Sequence, residues 1–248
     1  MMSKLIFDIE TAGEDFDKLD VTTQEVLTQW IKKESESEAK FKDSLKNLKE
    51  ELGFSPLTAE IIAVGVLDSQ KDKGAVYFQA PQSDLKETEE DGIKFKPSSE
   101  KEMLEKFWEL AKNYQEFVSF NGRSFDVPFL MIRSAIHKVK PTKDLNSNRY
   151  LSSQKFDAKH IDLFDQLTFY GAMRRKGSLH LWARAFGIKS PKAQGITGHD
   201  VSKLFKAKKY LEIAKYNSGD LSATKKLFEY WENYFEFDEC RTKNKLFR

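Results

Sequence analysis

Cysteine, histidine and long apolar runs are scarce in this chain of 248 residues. Its one cysteine, Cys240, excludes an internal disulfide framework and a zinc site built on thiolates. Four scattered histidines disfavour a histidine-rich zinc site. No apolar stretch approaches the roughly 20 residues that a membrane-spanning helix needs, and the first residues contain no apolar leader. These absences predict a cytoplasmic protein in a reducing compartment.

The composition that is present is typical of a globular protein, with 40% hydrophobic and 32% charged residues. This length supports one well-packed domain with an insertion, or two small domains. The net charge of +2 conceals an asymmetry: residues 1–116 carry 16 Lys and Arg against 26 Asp and Glu, whereas residues 117–248 carry 25 against 13. The basic half allows contact with a polyanion, although ordinary solvated lysine-rich faces explain the same numbers.

Two carboxylates, Asp8 and Glu10, lie in or next to a strand predicted over residues 4–9. Because strand side chains alternate between faces, both acids project to the same side, with Phe7 and Ile9 on the other. Neighbouring carboxylates repel each other and lose hydration when they are partly buried, a cost that a divalent cation offsets. The pair therefore indicates a metal site.

The remaining pattern predicts an α/β fold. Residues 20–52 contain no Gly or Pro and have apolar residues at helical spacing, so they predict one long helix or two shorter ones inside an insertion at about 14–54. Further strands are predicted at 60–67, 75–79, 117–120 and 160–163, a polar loop at 81–97, and helices at 99–114 (capped by Ser98), 126–139 and from Asp220 to 235.

This order of elements predicts a mixed five-stranded sheet with helices on both faces, in one domain spanning residues 1–248. The first three strands would form an antiparallel meander, and the last two would lie parallel to the first. We expect the helical insertion, over residues 20–52, to pack against the body or to contact a protein partner.

A third carboxylate lies in the block Asn-Gly-Arg-Ser-Phe-Asp-Val-Pro at residues 121–128. Asp126 begins a predicted helix, so it is either a first-turn acid favoured by the helix dipole or a metal ligand. Asn121 is either a turn residue before Gly or a hydrogen-bonding partner of the substrate. Phe125 adjoins the acid and could stack on a base.

A fourth carboxylate follows a tyrosine in Tyr-Asn-Ser-Gly-Asp at residues 216–220. Tyr216 and Asp220 share a helix face if helical geometry continues through Gly219. In chain order, Asp-x-Glu on a first strand, Asp after a strand-to-helix turn and Tyr-x-x-x-Asp on a late helix resemble the tyrosine subclass of the DEDD superfamily of 3′–5′ exonucleases. The likeness extends to the stand-alone predicted exonucleases related to the exonuclease domain of family B DNA polymerases. The matching stretches are 5–11, 61–66, 119–130, 160–163 and 198–227.

The resemblance implies a ribonuclease H-like fold and hydrolysis from the 3′ end of single-stranded or frayed nucleic acid, with DNA favoured over RNA. Two divalent cations, Mg²⁺ or Mn²⁺, would be held by four carboxylates: Asp8, Glu10, Asp126 and Asp220. Tyr216 would orient the attacking water. Thr11 would approach the terminal nucleotide; otherwise it only ends the strand. Two cations suit this chemistry because they stabilise both the attacking and the leaving oxygen.

Several alternatives stay open. His160 and Asp165 have the five-residue spacing of the histidine subclass, but His160 opens a predicted strand. Relatives commonly carry Cys after the Tyr and Val after the final Asp; here these are Asn217 and Leu221, changes that affect packing rather than ligands. A 3′–5′ exoribonuclease acting on short RNA, and a catalytically idle nucleic-acid-binding module, are the competing functions.

Overall fold

The computed structural model describes residues 3–189 and 198–236, so Cys240 lies outside the described residues. A mixed sheet of seven strands forms its centre. In chain order the strands are β1 (Leu5–Gly13), β2 (Ala59–Asp68), β3 (Gly74–Phe78), β4 (Thr88–Glu90), β5 (Ile93–Pro97), β6 (Glu116–Ser119) and β7 (Lys159–Asp162). Their order across the sheet is β4-β5-β3-β2-β1-β6-β7.

The pairing of the strands confirms the predicted mixed topology. β1, β2 and β3 form an antiparallel meander. β6 pairs parallel to β1, and β7 pairs parallel to β6. The carboxyl ends of β1, β6 and β7 therefore lie at one edge of the sheet, where ligand sites of α/β folds gather.

The prediction of five strands was wrong by two, because β4 and β5 lie in the segment expected to be a polar loop. They form an antiparallel hairpin through Asp91 and Gly92, both of which have positive φ. β5 then extends the sheet by pairing parallel to β3. The sequence of β4 is entirely polar and its side chains are exposed. In β5, Ile93 and Phe95 alternate with lysines, but only Phe95 is fully buried, and this short run does not stand out from the polar residues around it.

Eight helices are described outside the short 3₁₀ turns: α1 (Val21–Glu34), α2 (Glu38–Glu51), α3 (Glu100–Ala111), α4 (Asp126–Ile136), α5 (Leu163–Leu167), α6 (Leu179–Ala185), α7 (Gly198–Lys206) and α8 (Tyr210–Tyr234). The insertion contains two shorter helices, α1 and α2, which is one of the two predicted alternatives. The cap of α3 is Ser99, not Ser98, and it forms a capping box with Glu102. None of the helices in the described part of the chain has the length and apolar composition needed to cross a bilayer.

The helices cover both faces of the sheet, as predicted, and create two apolar cores. Phe7 and Ile9 of β1 pack in the core beneath α3 and α4. The neighbouring residue Ile6 packs in the other core, which includes buried residues of α5, α6, α7 and α8. The alternation of β1 therefore places Asp8 and Glu10 on the side of α8.

Candidate active site

Asp8 and Glu10 lie on β1, near the middle of the sheet. Asp8 is half-buried and Glu10 is buried. The pairing of β1 with β2 has an irregularity between Glu10 and Thr11, directly after the second acid. Bulges of this kind bend a strand and re-aim its side chains, and they are frequent beside active sites.

The long helix α8 brings the later acid to this strand. Helical geometry continues through Gly219, so Tyr216 and Asp220 share one face of α8. Both side chains are buried. One carboxylate oxygen from each of Asp8, Glu10 and Asp220 lies within 4.8 Å of the others. Acids that are separated by about 210 positions in the sequence therefore form one cluster.

The electrostatics of this acidic cluster (Asp8, Glu10 and Asp220) suit a cation. Carboxylates so close together in a partly buried site repel one another unless positive charge is supplied. The donor set consists of carboxylate oxygens, which Mg²⁺ and Mn²⁺ prefer over the nitrogen and sulfur ligands typical of zinc. The residues present therefore fit a hard divalent cation.

Tyr216 lies beside the acidic cluster. Burial raises the pKa of its hydroxyl far above the ordinary value, and the negative charges of Asp220, Glu10 and Asp8 raise it further, together with the hydrogen bond that the hydroxyl donates to Asp220. Tyr216 therefore keeps its proton at neutral pH and acts as a hydrogen-bond donor.

Asp126, the fourth predicted ligand, does not join the acidic cluster defined by that 4.8 Å separation in the described residues. It is the buried first residue of α4, and its Oδ1 accepts a hydrogen bond of 3.0 Å from the amide of Ile9. β6 pairs with β1 only as far as Ile6, so the Asp126 carboxylate satisfies an amide beyond the end of that pairing. Burial raises the pKa of Asp126 to about 7, against the effect of the Ile9 bond.

Asp162, at the end of β7, holds the turn that carries Asn121. Its carboxylate accepts hydrogen bonds from the amides of Asn121 (2.8 Å), Arg123 (2.9 Å) and Phe164 (2.9 Å). Asn121 has φ +64, a conformation that asparagine tolerates better than most residues. The sequence analysis gave Asp162 no definite role, although an acid at the carboxyl end of a parallel strand indicates a residue near the site. A contact between Asn121 and a substrate stays a prediction.

A comparison with known protein families identifies the family of this chain. Residues 58–236 match the model of a family described as predicted 3′–5′ exonucleases related to the exonuclease domain of PolB. The chain belongs to this family. The matched range includes Asp126, Tyr216 and Asp220 but begins after β1 and the helical insertion. Asp8 and Glu10 of this exonuclease-family protein lie outside the matched range, and the tertiary structure brings them next to Asp220.

The fold of this family member is similar to that of the family B DNA polymerase from the hyperthermophilic archaeon Pyrobaculum calidifontis. The TM-score is 0.57 at 16% sequence identity, over 94% of this chain and 25% of the polymerase chain. The chain thus spans about a quarter of the polymerase, and at this identity the likeness concerns the fold alone. No curated protein sequence matches the chain.

Aromatic residues surround the start of α4, where Asp126 lies. The ring of Phe125, next to Asp126, lies 4.9 Å from Phe129 and 6.3 Å from Phe54. Phe54 is 46% exposed and follows Gly53, whose carbonyl accepts a hydrogen bond of 2.6 Å from the Thr11 hydroxyl. Thr11 therefore ties the end of the insertion to β1. Sequence reasoning missed Phe54, which belongs to no motif.

His160 and Asp165, the two residues of the alternative histidine-subclass assignment, both have structural contacts. His160 is buried, with Nε2 2.7 Å from the Ser119 hydroxyl and Nδ1 3.0 Å from the Leu145 carbonyl. Burial lowers its pKa to about 4. Asp165 forms an ion pair with Arg149, with 2.5 Å between Nη2 and Oδ1. Neither residue belongs to the acidic cluster.

Proposed function

We propose that this protein is a metal-dependent 3′–5′ exonuclease that hydrolyses phosphodiester bonds at a free 3′ end of single-stranded or frayed nucleic acid, with DNA preferred over RNA. The observation that carries the proposal is the convergence of carboxylate oxygens from Asp8, Glu10 and Asp220 in a member of an exonuclease family. Residues 1–248 would form one ribonuclease H-like domain with a helical insertion at about 14–54.

The carboxylates would hold the cations that this reaction needs. Asp8, Glu10 and Asp220 would be ligands of the cations, with Asp126 as the fourth acid of the site. When bound, a pair of divalent cations, Mg²⁺ or Mn²⁺, stabilises the attacking and leaving oxygens and lowers the pKa of a water. Tyr216 would orient the attacking water through a hydrogen bond.

The aromatic residues beside the site support a single-stranded substrate. Phe125 precedes Asp126 in the chain, and its ring lies 6.3 Å from that of the exposed Phe54. Stacking of one base on an aromatic side chain contributes about 1–3 kcal/mol. A base is available for such stacking only when it is unpaired. Thr11 and Asn121 would contact the terminal nucleotide at the same edge of the sheet.

Loss of activity in two acid variants tests the proposal. With a 5′-labelled oligonucleotide and Mg²⁺ or Mn²⁺, the wild type should produce a ladder that shortens from the 3′ end, and EDTA or a blocked 3′ terminus should stop it. Asp8→Asn and Asp220→Asn should lower the rate by roughly a hundredfold or more, because each removes a charge that binds the cations. Tyr216→Phe should cost less, since it removes only one hydrogen bond.

Asp157→Asn is the matched control, because this exposed aspartate lies outside the acidic cluster and its loss should leave the rate unchanged. Undiminished degradation by Asp8→Asn and Asp220→Asn, or cleavage of the blocked strand, would reject the proposal. Competition between DNA and RNA oligomers of the same sequence decides the preferred substrate. Binding without turnover in Mn²⁺ would favour the idle nucleic-acid-binding module.

A further inference from the structure

We infer that Asn217 is a positioning residue that fixes the Asp8 carboxylate for cation binding. This inference rests on the proposed function, in which Asp8 is a cation ligand. The side chain of Asn217 donates a hydrogen bond from Nδ2 to Oδ2 of Asp8 over 2.8 Å. Asn217 has no exposed surface. A charge-assisted hydrogen bond in such a buried setting is stronger and more directional than one at the surface.

The neighbours of Asn217 on the same face of α8 are apolar. One helical turn before it and one turn after it, the same face of α8 carries Ile213 and Leu221, both buried. Asparagine is a poor helix former, and burial of its amide costs free energy unless the amide is hydrogen-bonded. The bond to Asp8 compensates for the burial of Nδ2, whereas the buried Oδ1 has no hydrogen-bond partner among the described residues. An ionised carboxylate can only accept, so the amide NH₂ faces it.

Gly65 makes room for this amide. It lies on β2 directly opposite Asp8 in the antiparallel register. A Cβ added at Gly65 would collide with Oδ1 of Asn217 and come within 2.7 Å of a Leu221 methyl. Glycine inside a strand is unfavourable and commonly marks a close approach of another group. Three elements, β1, β2 and α8, therefore cooperate to place one side-chain amide against one carboxylate.

The position of Asn217 links it to the rest of the site. It lies three residues before Asp220, so a single face of α8 supplies both an acid of the cluster and the donor that orients another. The Asp8, Glu10 and Asp220 oxygens lie within 4.8 Å of one another, and repulsion favours rotation of Asp8 away from the other two. The Asn217 bond opposes that rotation. Loss of a residue that orients a metal ligand typically weakens metal binding 10–100-fold.

Titration of the full-length protein with Mn²⁺, followed by isothermal calorimetry and by the electron paramagnetic resonance signal of free Mn²⁺, tests the inference. Asn217→Leu keeps the branching and the number of side-chain heavy atoms, removes the donor and improves helix propensity. We expect Mn²⁺ to bind at least tenfold more weakly, with an unchanged or higher melting temperature in EDTA. Ser218→Ala is the matched control: its hydroxyl donates to the Lys215 carbonyl on the same helix, and its Mn²⁺ affinity should equal that of the wild type.

Asn217→Ala is the second variant, in case Leu is not accommodated beside Gly65. Weaker Mn²⁺ binding in every Asn217 variant that folds supports the inference. Wild-type Mn²⁺ affinity in either folded variant overturns it and leaves the exonuclease proposal standing, because the acids themselves are intact. A wild-type protein that binds no Mn²⁺ would remove the exonuclease proposal and this inference together.

Discussion

Several polar side chains beside the site form hydrogen bonds with backbone groups of neighbouring segments. Asp126 accepts from the Ile9 amide, Thr11 donates to the Gly53 carbonyl, and Asp162 accepts from the turn that precedes Asp126. These bonds hold the loop ends rigidly around the acidic cluster. Rigid placement of this kind lowers the cost of bringing carboxylates together before a cation binds.

His160 should make stability depend on pH. Its folded pKa of about 4 lies below the unfolded value of about 6.5, so the unfolded chain binds more protons between these two values. The neutral His160 side chain therefore contributes fully to the free energy of unfolding above pH 6.5. This contribution, on the order of 3 kcal/mol, is lost as the pH falls towards 4. His160→Gln should lower stability at pH 7.5 but flatten its decline between pH 6.5 and 4.5.

Urea unfolding at several pH values measures this difference. The comparison between variant and wild type isolates His160, because every other titrating group is common to both. Parallel stability curves across this pH range would contradict the burial of a neutral imidazole.

At the scale of elements, the helical insertion is attached to the body mainly through its end. α2 contributes no fully buried residue, and α1 buries only Thr28 and Ile31. Leu52 and Gly53, which follow α2, are buried, and Phe54 is exposed beside Phe125. The insertion thus places an exposed aromatic ring against Phe125, the neighbour of Asp126, whereas a protein partner for its helices stays a prediction.

Phe54→Ala should weaken binding of single-stranded DNA. Removal of a stacking ring costs about 1–3 kcal/mol per base, so we expect KM to rise roughly tenfold with little change in kcat. Steady-state kinetics on an unpaired oligonucleotide measures both constants. Tyr234→Ala is the control, because this exposed tyrosine lies about 20 Å along α8 from Asp220. An unchanged KM for Phe54→Ala would rule out stacking at this position.

At the scale of the whole molecule, the acidic cluster joins the first strand to the last described helix. A cation held there would connect β1 to α8 and bind only the folded chain. Ligand binding of this kind stabilises a protein by about 2.7 kcal/mol when the ligand concentration is a hundred times Kd. The stability of the fold should therefore depend on the cation.

Thermal unfolding with and without Mn²⁺ tests this linkage. We expect Mn²⁺ to raise the melting temperature of the wild type by several degrees, since a domain of 150–250 residues shifts by about 2–4 °C per kcal/mol. Asp220→Asn should abolish most of that rise, and Asp157→Asn should retain it. An equal rise in the wild type and Asp220→Asn would place the cation elsewhere.

The sequence by itself determined the elements that have a strong local pattern. The apolar runs of β1 to β3, the turn block before Asp126 and the helical spacing of Tyr216 and Asp220 predicted their positions, because each depends on neighbours along the chain. It did not reveal β4, which is entirely polar, or β5, whose short alternation lies in a charged segment. It also attached no role to Phe54 and treated Asn217 as a packing change.

Only the tertiary structure decided which distant residues meet. The contacts of Asp8 with Asn217 and of Asp126 with Ile9 depend on strand order and on how closely α8 approaches Gly65. Such contacts join residues separated by more than a hundred positions. No local period encodes them, because they are fixed by the packing of helices onto a sheet.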